Sequence, residues 1–73
     1  MTLTEKLRAA QLPPPWERRA IRIGAGASQR ELAHELDVTP LTISRWERGD
    51  SEPRRDKAIA YRRLLDELRA VGQ

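Results

Sequence analysis

The segment V-T-P-L-T-I-S-R-W-E-R-G, Val38 to Gly49, holds the side chains with most to offer a partner. On a helix turning ~100° per residue, Leu41 and Ile43 point about 200° apart, so only one of them can face a core. Arg45 and Arg48 follow Leu41 at intervals of four and seven and share its side, while Ile43 and Trp46 share the other. The chemistry of that arrangement is non-covalent. A guanidinium is a planar fork that matches a phosphate or the edge of a guanine, and an adjacent aliphatic offers an apolar contact. Of the 14 basic residues all but Lys6 and Lys57 are arginine, but codon usage in a G+C-rich genome produces the same bias.

Covalent chemistry has no comparable candidate. A nucleophile needs a base within reach and a pocket that excludes water. Ser28, Ser44 and Ser51 stand at capping or polar-face positions, and there is no cysteine to act as nucleophile, metal thiolate or disulfide partner. His34 is the lone histidine, Gly24-Ala25-Gly26 is too short for a phosphate loop, and the carboxylates lie among basic residues at ion-pair spacing. The expectation is no enzyme, no cofactor and no metal.

With 73 residues, 38% of them apolar and 34% charged, the chain can form one domain close to the lower size limit for an unstapled core. The formal charge of +3 and a pI near 10.2 suit an anionic partner without naming one. No stretch approaches the ~18 apolar residues of a membrane span and the start lacks a signal peptide's apolar run, so a cytoplasmic location is expected.

The elements that must position these residues are all helical. Thr2 and Glu5 form a capping-box pattern ahead of Leu3, Leu7 and Ala10, and Pro13-Pro14-Pro15 ends that segment. Pro14 or Pro15 opens a second helix carrying Ile21 and Ala25 and broken at Gly26. Ser28 with Glu31 caps a third, Gln29 to Leu36, whose inner stripe is Leu32, Ala33 and Leu36. After a very short turn at Asp37-Val38, Thr39 and Pro40 start the fourth and Gly49 stops it. A polar connector, Asp50 to Pro53, leads to a long run from about Arg54, with Ala58, Tyr61, Leu64, Leu65, Leu68 and Val71 on one side. The fold class expected is all-α, a compact bundle of about five helices, each too short to stand without tertiary packing.

The stretch S-Q-R-E-L-A-H-E-L-D-V-T-P-L-T-I-S-R-W-E-R-G resembles the helix-turn-helix of the lambda-repressor-like, XRE/Cro-type DNA-binding family, whose pattern is S-Q-x-x-L-A-x-x-L-G-V-S-x-x-T-I-S-x-W-E-x-G. The agreement covers about 22 consecutive residues and reaches more loosely back to Arg22 and on to the last helix. Residues 1–12 have no counterpart and are expected to form an amphipathic helical extension, leaving 13–73 as the domain with its helix-turn-helix unit at 29–48. One departure is Asp37, where the family places glycine in a turn that needs a left-handed backbone; aspartate tolerates it with some strain.

The resemblance implies a small sequence-specific regulator of the repressor or Cro kind, such as phages and mobile elements carry. It implies a double-stranded DNA operator and a homodimer, with no small-molecule ligand and no membrane. The helix 39–48 would enter the major groove with Thr39, Pro40, Leu41, Thr42 and Arg45 toward the bases. Leu41 would pack on a thymine methyl and Arg45 would fork to guanine O6 and N7. Proline has no side-chain donor, so Pro40 would make an apolar contact or none. Phosphate contacts are implied for Gln29, Arg54 and Arg55, and at lower rank for Arg30, Ser44 and Arg48. Arg22 and Glu47 match a family ion pair that ties its helix to the recognition helix. Two other readings use the same fold: an antitoxin or protein-binding adaptor, and self-association through Tyr61, Leu65 and Leu68 of the last helix.

Overall fold

Prolines, hydroxyl caps and left-handed stops divide the chain. The computed structural model describes residues 1–72 as five helices with no strand among them: α1 Leu3–Ala9, α2 Pro15–Gly24, α3 Gln29–Leu36, α4 Pro40–Arg48 and α5 Arg55–Val71. The Ser28 hydroxyl accepts from the Glu31 amide at 3.0 Å and the Glu31 carboxylate accepts from the Ser28 amide at 2.9 Å, a complete capping box that also holds the Glu31 carboxyl below the usual range. Thr2 caps α1 by accepting from the Glu5 amide, but Glu5 takes the Thr2 hydroxyl rather than its amide, so that box is incomplete.

Two left-handed residues make the turns around α4. Asp37 sits at φ 55° and closes α3, and the Val38 amide reaches back to the Ala33 carbonyl at 2.9 Å. Gly49 ends α4 at φ 76°, and a Cβ there would meet Pro15 Cγ at 3.2 Å. Glycine suits residue 49 both because the left-handed backbone costs it nothing and because a side chain would crowd the Pro15 ring of α2.

The core is drawn from three helices: Leu32, Ala33 and Leu36 of α3, Ile43 and Trp46 of α4, and Ala58, Tyr61 and Leu65 of α5. Ala33 is small where α3 meets α4, and the rings of Trp46 and Tyr61 pack with centroids 5.2 Å apart, tilted by 33°. Ile21 and Leu68 cover this cluster from its edge. At roughly 1.5–3 kcal/mol for each buried aliphatic or aromatic side chain, few members of so small a cluster are dispensable.

Three details differ from the periodic pattern. Leu3 and Leu7 remain largely exposed and α1 buries no residue; the segment's contribution to the core comes from Leu12, beyond the end of the helix. A helix of seven residues is held by its neighbour rather than by its own propensity, and here α5 grips the end of α1 through the Arg62 guanidinium, which donates to the Arg8 carbonyl. Val71, expected among the buried residues of α5, is 68% exposed. It lies about 20° from half-buried Leu64 at the margin of the stripe, one position before the helix cap at Gly72. Finally, α2 ends at Gly24, with Ala25 as its cap and Gly26 in the left-handed conformation just beyond.

Candidate nucleic-acid interface

Helix α4 has two unlike sides. Ile43 is 0% exposed and Trp46 and Glu47 are buried with it, while Leu41 is 54% exposed and Thr39, Pro40, Arg45 and Arg48 are exposed. Thr42 and Ser44 are half-buried on the flanks. Threonine at residue 39 is the N-cap, its hydroxyl accepting from the Thr42 amide at 3.3 Å and lying 3.0 Å from the Thr42 hydroxyl. Both hydroxyls are thus held in place at the helix start. Among the described residues the exposed Arg45 guanidinium, which carries five N–H donors, has no hydrogen-bond or ion-pair partner. Arg48, one turn nearer the C-terminus, pairs with Asp50 at 3.0 Å, an exposed pair of small energetic weight.

Under α4 lies a polar frame. Glu47 is buried and accepts three hydrogen bonds. Arg22 Nε donates to Oε2 at 2.6 Å, a second Arg22 nitrogen donates to Oε1 at 3.0 Å, and Gln29 Nε2 donates to Oε1 at 3.1 Å. The remaining Arg22 terminal nitrogen donates to the Ala27 carbonyl at 2.9 Å. Arg22 and Glu47 thus form a forked, almost fully buried pair between α2 and α4, and Gln29 joins it from the first turn of α3. A primary amide carries two N–H donors, so Gln29 keeps one, and its carbonyl oxygen, for an outside partner.

Arg30, Arg54 and Arg55 are exposed, and none has a hydrogen-bond or ion-pair partner among the described residues. Arg54 is the N-cap of α5, extended at φ −67° and ψ 164°, and its side chain makes no cap bond. The cationic residues expected near phosphates therefore lie on the surface, while Arg22 is withdrawn into the protein.

Sequence reasoning passed over two polar residues that the fold uses. Arg18 is only 4% exposed. Its Nε donates to the Pro13 carbonyl at 2.8 Å, one terminal nitrogen donates to the Trp46 carbonyl at 3.1 Å, and the other pairs with Glu52 at 2.9 Å. Arg18, Ile21, Arg22 and Ala25 repeat at the helical spacing of an inward stripe, a pattern that would have shown two arginines on the inner side of α2. Lys57 is the other, its ammonium donating to the Leu36 carbonyl at 2.7 Å to cap the end of α3. Among the described residues one buried side-chain polar atom is left over: the Tyr61 hydroxyl has no partner. Burial first, and the Glu47 charge second, push its pKa up to about 12.

Among the described residues no helix is long and apolar enough to cross a membrane. Nor do three or more His, Cys, Asp or Glu side chains gather there as a metal site. The arrangement defines a class: an all-α domain in which two short helices, α3 and α4, are joined by a tight turn and the second keeps one side open. Residues 19–69 match the helix-turn-helix family, and the chain belongs to that family, in its XRE-type branch. Over 38 residues it is 42% identical to the HTH-type transcriptional regulator DicA of Escherichia coli (strain K12). That stretch is 52% of this chain and 28% of DicA, so the match spans less than a third of the relative. No solved structure matches the chain at a significant level.

Proposed function

We propose that this chain is a transcriptional regulator that binds double-stranded DNA sequence-specifically by placing α4 in the major groove. The observation that carries the reading is the outward side of α4, where Leu41 and an unpartnered Arg45 stand opposite fully buried Ile43. A helix with its side chains is about 10–12 Å across, a cross-section that a major groove about 12 Å wide admits. Leu41 then packs on a thymine methyl and Arg45 forks to guanine, with Thr39, Pro40 and Thr42 at the margin of the contact.

The exposed cations supply register. Gln29, through its spare N–H at the first turn of α3, and Arg30, Ser44, Arg48, Arg54 and Arg55 are the proposed phosphate contacts. Arg48 exchanges its solvent-exposed Asp50 partner for a phosphate. The mechanism proposed is repression by occlusion, with a homodimer reading two half-sites about one helical turn, ~34 Å, apart. Exposed apolar residues on α1 (Leu3, Leu7) and at the end of α5 (Val71) are the surfaces open to such pairing.

A module that acts only on other proteins, as an antitoxin or adaptor does, would show no preference among duplex sequences. Selection of bound duplexes from a random pool, at stated salt, tests the proposal. Enrichment of a G-containing motif that is lost in Arg45→Ala supports it; a pool that stays random under wild-type selection overturns it.

A further inference from the structure

Resting on the DNA-binding reading above, we infer that Arg18 and Glu52 together form a positioning device that sets where Arg54 and Arg55 meet the DNA backbone. Arg18 joins three separate parts of the chain from inside α2. It holds the Pro13 carbonyl of the α1–α2 connector, the Trp46 carbonyl in the last turn of α4, and the Glu52 carboxylate of the α4–α5 connector. A buried guanidinium in reach of three acceptors has one low-energy placement, because any shift strands a charged donor away from water.

The connector needs such a tie. Among the described residues, neither the backbone N–H groups of Ser51 and Glu52 nor the carbonyls of Ser51, Glu52 and Pro53 have a backbone partner. Two residues beyond Glu52 comes Arg54, and the residue between them is Pro53, whose ring locks φ. Holding the Glu52 side chain therefore narrows the directions in which the chain can enter α5 and present Arg54 and Arg55. The same guanidinium touches the end of α4, so the base-reading helix and the backbone-gripping arginines share one anchor.

Charge gives the inference a sign that a solvated acid lacks. A carboxylate two residues from a phosphate-gripping arginine repels the duplex, so removing an idle Glu52 strengthens binding. Removing a Glu52 that holds the connector weakens binding and detaches phosphate contacts. The geometry favours the second outcome, because the Glu52 carboxylate is paired with a buried cation at 2.9 Å.

The test measures affinity for a mixed-sequence duplex of about 20 base pairs, two helical turns, over a series of salt concentrations. The chains are wild type, Glu52→Gln, Arg54→Ala/Arg55→Ala and the triple variant, with circular dichroism melting for each. The expected result is weaker binding by Glu52→Gln, with a log K against log salt slope shallower by about 1 to 2. In the Arg54→Ala/Arg55→Ala background the Glu52 change should have no further effect on that slope. Wild-type slope with equal or tighter binding in Glu52→Gln overturns the inference and leaves the DNA-binding reading standing. A Glu52→Gln chain already melted at the assay temperature also overturns it, since the tie would then be a requirement of the fold. If the wild type itself shows no salt-dependent duplex binding, the DNA-binding reading fails first and takes this inference with it.

Discussion

The arginines of α2 and those of α4 and α5 are the same side chain put to opposite uses. Arg18 and Arg22 lie inside the protein with their donors committed to carbonyls and to Glu52 and Glu47. Arg45, Arg54 and Arg55 stand on the surface, their side chains without a hydrogen-bond or ion-pair partner among the described residues. Ile43 and Trp46 are the only apolar residues of α4 in the core, so hydrophobic contact supplies this helix with few directional constraints. Buried forks supply the missing directional constraint: a bidentate pair fixes rotation as well as distance. The lesson of the contrast is that residue type names the available chemistry, while burial decides who receives it.

The contrast is broken most severely from the inner side. Glu47→Ala leaves the Arg22 guanidinium and the Gln29 amide without their shared acceptor in a nearly dry site. The expected loss is ~3–5 kcal/mol, seen as a melting temperature lower by more than about 12 °C or a chain that does not fold. A variant that melts like wild type would show that the buried pair holds nothing in place.

The second test concerns the inner side's unpaired atom. Well below pH 10 the Tyr61 phenol is protonated in both folded and unfolded chains, so there it contributes no pH dependence. Between pH 10 and about 12 the unfolded chain ionises first, and stability should fall by about 2–3 kcal/mol as pH rises through that window. Tyr61→Phe should be near neutral at pH 7, since no hydrogen bond is lost, and should remove this part of the alkaline decline. Denaturant titrations of both chains across pH 8–12 separate it from lysine deprotonation, and equal declines would refute the assignment.

On the outer side the expected effects are smaller and fall on binding rather than folding. Arg45→Ala should cost ~1–3 kcal/mol at one base position and relax the preference there, with melting unchanged. Arg54→Ala should weaken all duplexes alike and reduce the salt slope by about 1. Competition binding against single-base variants distinguishes the two, and a reversal, with Arg54 carrying base preference and Arg45 only salt dependence, would exchange their roles. An equal loss of stability from Arg45→Ala and Glu47→Ala would erase the contrast altogether.

Much of this was legible before any coordinates, and the readable part is local. A capping box spans four residues and a proline acts on its immediate neighbours, so Ser28 marks the start of α3, and Thr39, Pro40 and Gly49 the start and stop of α4, within the chain itself. The 3.6-residue repeat likewise places Leu41 opposite Ile43 without reference to anything else. Asp37 stands where the family it resembles carries glycine, and that correspondence pointed to the left-handed backbone at φ 55°.

What the tertiary structure alone decided concerns partners far away in sequence. Arg18 became an interior strut because Trp46 and Glu52, 28 and 34 residues on, close over it; nothing in the spacing of α2 says what will cover its inner side. The Gln29 amide turns toward Glu47, 18 residues away, and Leu12 reaches the core from outside any helix. Val71 repeats the pattern of its helix yet finds no neighbour to cover it. Periodicity depends on the chain's own geometry, but burial depends on what folds against it, and a polar side chain's role follows from burial.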